Sequence, residues 1–189
     1  VPQFGFEVVR HEQPQRPGAQ SDVAGSVPGV ALIPGTGEYA LATQPVALPE
    51  GTGRWRMANV NSPLGVPDLV ASLNALERDI PACGAVSLVV SWFGDDLRCG
   101  NCRLHPRVER HDAEGKGMPW QVSGLSRAGA ARVPVEDGRP VYGGTPADAS
   151  VVQAIRELRA RGQAVMFYPF ILMTQMAGNT LPDPVSGTP

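Results

Sequence analysis

The sequence predicts an α/β fold in which a parallel sheet is covered by helices. Three observations predict it. Ala85 to Phe93 (Ala-Val-Ser-Leu-Val-Val-Ser-Trp-Phe) is a nearly continuous apolar run rich in β-branched residues. A strand buried on both faces reads this way, which is the habit of parallel sheets. Ala164 to Tyr168 (Ala-Val-Met-Phe-Tyr) repeats the pattern. Each run follows a segment with helical periodicity, so helix and strand alternate along the chain.

The elements follow in order. Phe4, Phe6 and Val8 alternate with Gly5, Glu7 and Val9, which predicts one short strand over residues 4 to 9. Residues 11 to 29 have linker composition, with a boundary near residue 25. Val30 to Ile33 and Tyr39 to Thr43 are short apolar pieces around Pro34-Gly35-Thr36-Gly37, and residues 44 to 56 return to loop chemistry. Leu69, Val70, Leu73, Leu76 and Ile80 mark an amphipathic helix over Pro67 to Ile80, stopped by Pro81. Cys83-Gly84 turns the chain into the first apolar run. Residues 97 to 144 are then an excursion, with candidate short strands at Arg103 to Val108 and Trp120 to Leu125. It is expected to lie over the C-terminal strand ends, with Val108, Trp120 and Val122 packed locally. Thr145 to Arg161 predicts the strongest helix. Thr145 stands as N-cap, Pro146 at N1 and Asp148 at N3, and Gly162 as the C′ residue. Its apolar stripe is Val151, Val152, Ile155 and Leu158. Pro169 is expected to end the strand that follows, because proline cannot donate to a ladder. Two strands alone do not make a stable sheet. Either the short N-terminal pieces add strands, or more of the domain lies beyond Pro189.

Composition bounds the function. The chain has 189 residues, 22 Gly, 19 Pro and 42% hydrophobic residues, enough apolar material for a core in a loop-rich molecule. Its formal charge is -2. That argues against a nucleic-acid surface, which needs clustered cations. No apolar run reaches the roughly 18 residues of a membrane span. Val1-Pro2-Gln3-Phe4 lacks the features of a signal peptide, and both ends read as cuts within a longer protein.

Some residue types suggest chemistry. Gly94-Asp95-Asp96 directly follows the first predicted strand, where α/β folds place their sites. Asp95 and Asp96 could bind sugar hydroxyls or act as catalytic carboxylates; alternatively, one of them caps the next segment or pairs with Arg98. Trp92, Phe93, Tyr168 and Phe170 fall at the same strand ends, where aromatic faces could stack on sugar rings or simply fill the core. Trp92, Asp95, Asp96 and Tyr168 are the candidate substrate-binding group. Cys83, Cys99, Cys102 and His105 form a Cys-x15-Cys-x2-Cys-x2-His series. Cys83 and the other three flank opposite ends of a strand spanning roughly 27 Å, so no four-ligand metal site is expected. Cys99, Cys102 and His105 remain the alternative ligand group, and Cys99 and Cys102 could also pair or be plain thiols. Gly35-Thr36-Gly37 and Gly143-Gly144-Thr145 lack the Gly-Lys-Ser/Thr of a P-loop, and no cofactor is implied. His11 and His111 read as solvated surface.

Four longer stretches carry a resemblance. They are Leu32-Ile-Pro-Gly-Thr-Gly-Glu-Tyr-Ala-Leu-Ala-Thr43, Ser87-Leu-Val-Val-Ser-Trp-Phe-Gly-Asp-Asp-Leu97, Asp137-Gly-Arg-Pro-Val-Tyr-Gly-Gly-Thr-Pro-Ala-Asp-Ala149 and Ala164-Val-Met-Phe-Tyr-Pro-Phe-Ile-Leu-Met173. Together they resemble the large baseplate or tail-tip protein of alphaproteobacterial gene transfer agents and related phages. Within that family they are similar to the start of a TIM-barrel-like, glycoside-hydrolase-like domain. The resemblance implies residues 1–10 as the end of a preceding baseplate domain, 11–29 as linker and 30–189 as the N-terminal part of a (β/α) barrel. A long insertion would follow the first strand. It also implies a virion tail tip made in the bacterial cytoplasm, a homo-oligomer with other tail and baseplate proteins as partners, and contact with host surface polysaccharide. Two functions stand: a structural component, or an active glycoside hydrolase acting on capsule or cell-wall glycan.

Overall fold

The computed structural model describes residues 24–35 and 37–188. The strand expected at residues 4 to 9, most of the 11–29 linker and His11 lie outside them. The described chain is a mixed α/β molecule. Its elements are β1 (Gly29–Leu32), β2 (Ala47–Pro49), β3 (Trp55–Met57), α1 (Asp68–Asp79) and β4 (Ala85–Gly94). There follow β5 (Leu104–His105), β6 (Arg107–Val108), β7 (Gln121–Val122), β8 (Leu125–Ser126), β9 (Ala131–Arg132), β10 (Val135–Glu136) and β11 (Arg139–Pro140). The chain then forms α2 (Asp148–Ala160) and β12 (Ala164–Met173).

The main sheet has β4 at its centre, with β1 and β12 parallel to it on either side. β12 pairs along the whole of β4, from Ala164 opposite Ala85 to Met173 opposite Gly94. β1 covers only Ala85 to Leu88 on the other edge. Beyond it, β5 turns back antiparallel, with His105 opposite Phe93 and Leu104 opposite Gly94. The adjacent parallel strands joined by a helix are as the sequence predicts. Two points differ. The piece after the linker is itself a strand, beginning at Gly29, so the sheet gains a third parallel member. The insertion therefore follows the second parallel strand and not the first.

β12 also runs through Pro169, where the sequence predicts its end. The reason lies in the ladder. The Ala164 amide donates to the Gly84 carbonyl and the Thr174 amide to the Gly94 carbonyl. Amides alternate in direction along a strand, so the even-numbered ones face β4 and the odd-numbered ones face the edge that no other described strand pairs with. Pro169 is odd. Its missing N–H costs no bond within this sheet, as befits proline on an edge strand.

Val86, Leu88 and Val90 alternate along β4 and so share one face. They pack with Leu69 and Leu73 of α1 and with Val151, Ala154 and Leu158 of α2. Both helices therefore cover the same face. The strand order β1-β4-β12 also advances in one direction, so the two crossovers have the same hand. The start of α2 differs from expectation. It begins at Asp148 with Ala147 as N-cap and no side-chain cap. The Thr145 hydroxyl is used elsewhere, accepting from the Arg107 amide at 3.1 Å. The Asp148 carboxylate accepts from the Ser123 amide, which ties the β7–β8 hairpin to the helix start. The C-terminus behaves as predicted: Gly162 has φ 79°, its amide reaches Arg159 and the Gln163 amide reaches Leu158. These are the two bonds of a Schellman motif.

The insertion builds a second core. Val108, Met118, Trp120, Val122 and Ala130 pack with Tyr39, Ala42, Val46 and Ala147. Trp120 is thus outside the helix–sheet core, as expected. Its packing is not local, however, because Tyr39, Ala42 and Val46 supply a third of the buried residues of the cluster. The indole N–H donates to the Thr145 carbonyl at 2.8 Å, which satisfies the one polar atom of a buried ring. Trp92 touches both cores and forms the seam between them.

Candidate functional site

The sheet face away from the helices is the open one. On β4 it carries Ser87, Val89, Ser91 and Phe93. Paired residues share a face, so on β12 it carries Met166, Tyr168, Phe170 and Leu172. Met166, Tyr168 and Phe170 are 59%, 46% and 45% exposed. At the C-terminal end of this face lies a cleft of about 220 Å³ between Ile33, Ser91, Tyr142, Gly144, Phe170 and Leu172. Its polar equipment is slight. The Ser91 hydroxyl donates to the Gly144 carbonyl at 3.4 Å. The Tyr142 ring lies 6.1 Å from that of Phe93 at a 54° tilt. Among the described residues no carboxylate, histidine or cysteine lines the cleft. It can hold an apolar or aromatic surface, but it offers no acid–base pair.

The two strand-end carboxylates point into their own loop. Asp96 is buried and holds Arg98 by two charged hydrogen bonds, at 3.0 and 2.6 Å, while accepting the Arg98 amide at 2.8 Å. Those hydrogen bonds from Arg98 pull the Asp96 carboxyl down to about 2. Asp95 accepts the Arg103 amide at 2.7 Å. Both act as clamps on the loop 97–103. The alternative role weighed from sequence, a pairing with Arg98, is the one realised for Asp96.

The expected aromatic group is divided. Ile171 lies opposite Trp92, whereas Tyr168 lies opposite Val89, which places Trp92 and Tyr168 on opposite faces of the sheet. Trp92 faces the helices and the second core. Phe93 and Phe170 stay with Tyr168 on the open face, with Phe93 fully buried. Trp92, Asp95, Asp96 and Tyr168 therefore do not converge on one ligand. Cys99, Cys102 and His105 do not assemble either: among the described residues no group of three or more His, Cys, Asp or Glu could hold a metal ion. All three cysteines are free thiols, with Cys83 buried at the far end of β4. His111 is not wholly solvated, since its Nε2 lies 2.8 Å from the Ala130 carbonyl.

Sequence reasoning missed a buried ionic network. Arg127 donates to the Glu38 carboxylate, to the Tyr39 hydroxyl at 3.0 Å and to the Arg110 carbonyl at 2.7 Å. Glu38 also accepts the Glu109 amide, and Glu114 accepts the Tyr39 hydroxyl and the Trp120 amide. Burial raises the Glu38 carboxyl above its usual range against the pull of Arg127. Burial likewise pushes the Tyr39 phenol up to about 12. Burial works against the Arg127 charge, but the hydrogen bond and charge of Glu38 outweigh it and hold the guanidinium protonated. Two glycines make room: a Cβ on Gly144 would lie 2.7 Å from Glu38, and one on Gly115 would lie 2.6 Å from the Tyr39 ring. The signal was present in the sequence. Glu38 is the one charge between Val30 and Pro49, and a lone charge in an apolar stretch needs a partner.

No protein-family model matches the chain, and no curated protein is significantly similar to it.

Proposed function

We propose that this chain is the opening portion of a TIM-barrel-like, glycoside-hydrolase-like domain in a phage-like tail-tip protein, and that its work is assembly and host contact more than catalysis. The observation that carries the reading is the open sheet face, with the apolar β12 exposed at its edge. Sequential strand order with both helices on one face is the winding of a (β/α) barrel. A doubly wound sheet reverses its order and places helices on both faces. In this reading the open face and the β12 edge are covered by further strand–helix units of the same domain. The partners are other tail and baseplate proteins and further copies of the chain, at the tail tip of a particle made in the bacterial cytoplasm. Host polysaccharide is contacted by the finished domain.

The structural role is favoured over hydrolysis because glycoside hydrolysis needs two carboxylates about 5 to 9 Å apart across the bond. Here the described residues lining the cleft include none, and Asp95 and Asp96 are engaged within their loop. The test compares two double variants of the full-length protein in assembled particles. Tyr168→Asp with Phe170→Asp should prevent incorporation into the tail. Asp95→Asn with Asp96→Asn should permit incorporation and leave polysaccharide binding within about twofold of the parent. Particles that assemble normally with charged residues on β12 would remove the assembly reading. Loss of polysaccharide cleavage in the second variant would replace it with the hydrolase.

A further inference from the structure

The loop after β4 carries a feature that the assembly reading does not use. We infer that Cys99 and Cys102 are a dithiol that closes to an intraloop disulfide by exchange with a low-molecular-weight disulfide. The Asn101 and Cys102 amides both donate to the Arg98 carbonyl, at 2.9 and 3.0 Å. That is one turn of helical geometry, in which Cα atoms three residues apart lie about 5 Å from each other. A disulfide requires a Cα separation of about 4.4 to 6.8 Å. The turn therefore already holds the two residues at bridging distance.

The loop is fixed at both ends by the carboxylates that follow the strand. Asp96 grips Arg98 on one side of the turn, and Asp95 holds the Arg103 amide on the other. Cys102 is partly buried on the strand end: a Cβ on Gly94 would lie 2.9 Å from its Sγ and 3.0 Å from Met173 Sδ. Cys99 is exposed. The exposed thiol is the one an incoming disulfide can reach, and the sheltered thiol is the one placed to resolve it. The Cys99 thiolate attacks one sulfur of the small disulfide and expels one thiolate. The Cys102 thiolate then attacks Cys99 Sγ in the mixed disulfide and expels the second. Two protein thiols are oxidised, one small disulfide is reduced to two thiols, and the two protons pass to the leaving groups. Cys83 takes no part, because it is buried at the opposite end of the strand. The pairing is independent of what the protein assembles with.

The test treats the full chain with oxidised glutathione and reads intact mass, non-reducing mobility and the tryptic peptide from Cys99 to Arg103. The expected product is a monomer two hydrogens lighter. The bridge lies inside that single peptide, and Cys83 remains open to alkylation after denaturation. Cys102→Ser should trap a stable glutathione adduct on Cys99. Asp96→Asn should loosen the turn and slow closure about tenfold, with the adduct on Cys99 forming at an unchanged rate. A wild-type chain that stops at the glutathione adduct, or bridges between molecules or to Cys83, would overturn the inference.

Discussion

Arg127 carries its charge into the interior and so needs a buried partner. Its guanidinium and the Glu38 carboxylate are both buried, with side chains 3% and 6% exposed. Removing one partner strands the other charge in the interior, which costs about 3 to 5 kcal/mol. Arg127→Met should therefore lower the urea-unfolding free energy by about that amount, and Glu38→Gln by somewhat less. Arg127→Met combined with Glu38→Leu should recover much of the loss, because neither charge is then left alone. Asp96 makes a different prediction. Its carboxyl is held near 2 by hydrogen bonds from Arg98, below the usual value of 3.8. A lowered carboxyl contributes stability that is complete above the unfolded value and is lost as pH falls through the folded one. The Asp96–Arg98 clamp should persist at pH 5 and release between about pH 4 and pH 2. The Asp96 carboxyl resonance should titrate with a midpoint near 2. A midpoint near 4 would place Asp96 in solvent and undo the loop description.

At the scale of elements, β12 is the informative case. Its odd-numbered amides face an edge unpaired among the described residues, and Pro169 interrupts that row. Proline on an exposed edge discourages edge-to-edge pairing. Pro169→Val should leave the melting temperature almost unchanged while increasing concentration-dependent association on analytical ultracentrifugation. Unchanged association would mean that the edge is protected by something other than this proline. The same strand shows what periodicity could and could not reveal. Ala85 to Phe93 and the two helices were legible because their patterns depend on neighbours in sequence. β1 reads in the sequence only as a short apolar piece, since four residues give periodicity little to work on. The run past Pro169 was not legible, because the direction of an amide in a ladder depends on which edge is occupied. The second core joins Tyr39 and Val46 to Trp120 and Val122 across a long stretch of chain, which no local pattern encodes. Asp95 and Asp96 were found as residues, but their roles turned on Arg98 and the Arg103 amide within the following loop. Trp92 and Tyr168 were grouped by closeness to strand ends. Register, which sequence does not carry, put them on opposite faces.

The whole molecule is a sheet whose central strand is covered by helices on one face, while its edge strand β12 is exposed on both, with Phe167 on the helix side 48% exposed. Helices α1 and α2 cover β4 on the first face. The second core closes the region of the insertion. The other face leaves Met166, Tyr168 and Phe170 about half exposed, beside a strand edge that pairs with no other described strand. Burying the exposed half of each yields about 1 kcal/mol, so covering the face has a driving force of about 3 kcal/mol in total. The most direct measurement is amide hydrogen exchange along β12, in this chain alone and in the assembled tail-tip particle that the proposed function requires. The even-numbered amides, bonded to β4, should be protected in both. Those of Val165, Phe167, Ile171 and Met173 should exchange freely in the isolated chain and become protected in the particle. Equal, rapid exchange of these four amides in both states would contradict the claim that this edge and face are built to be covered.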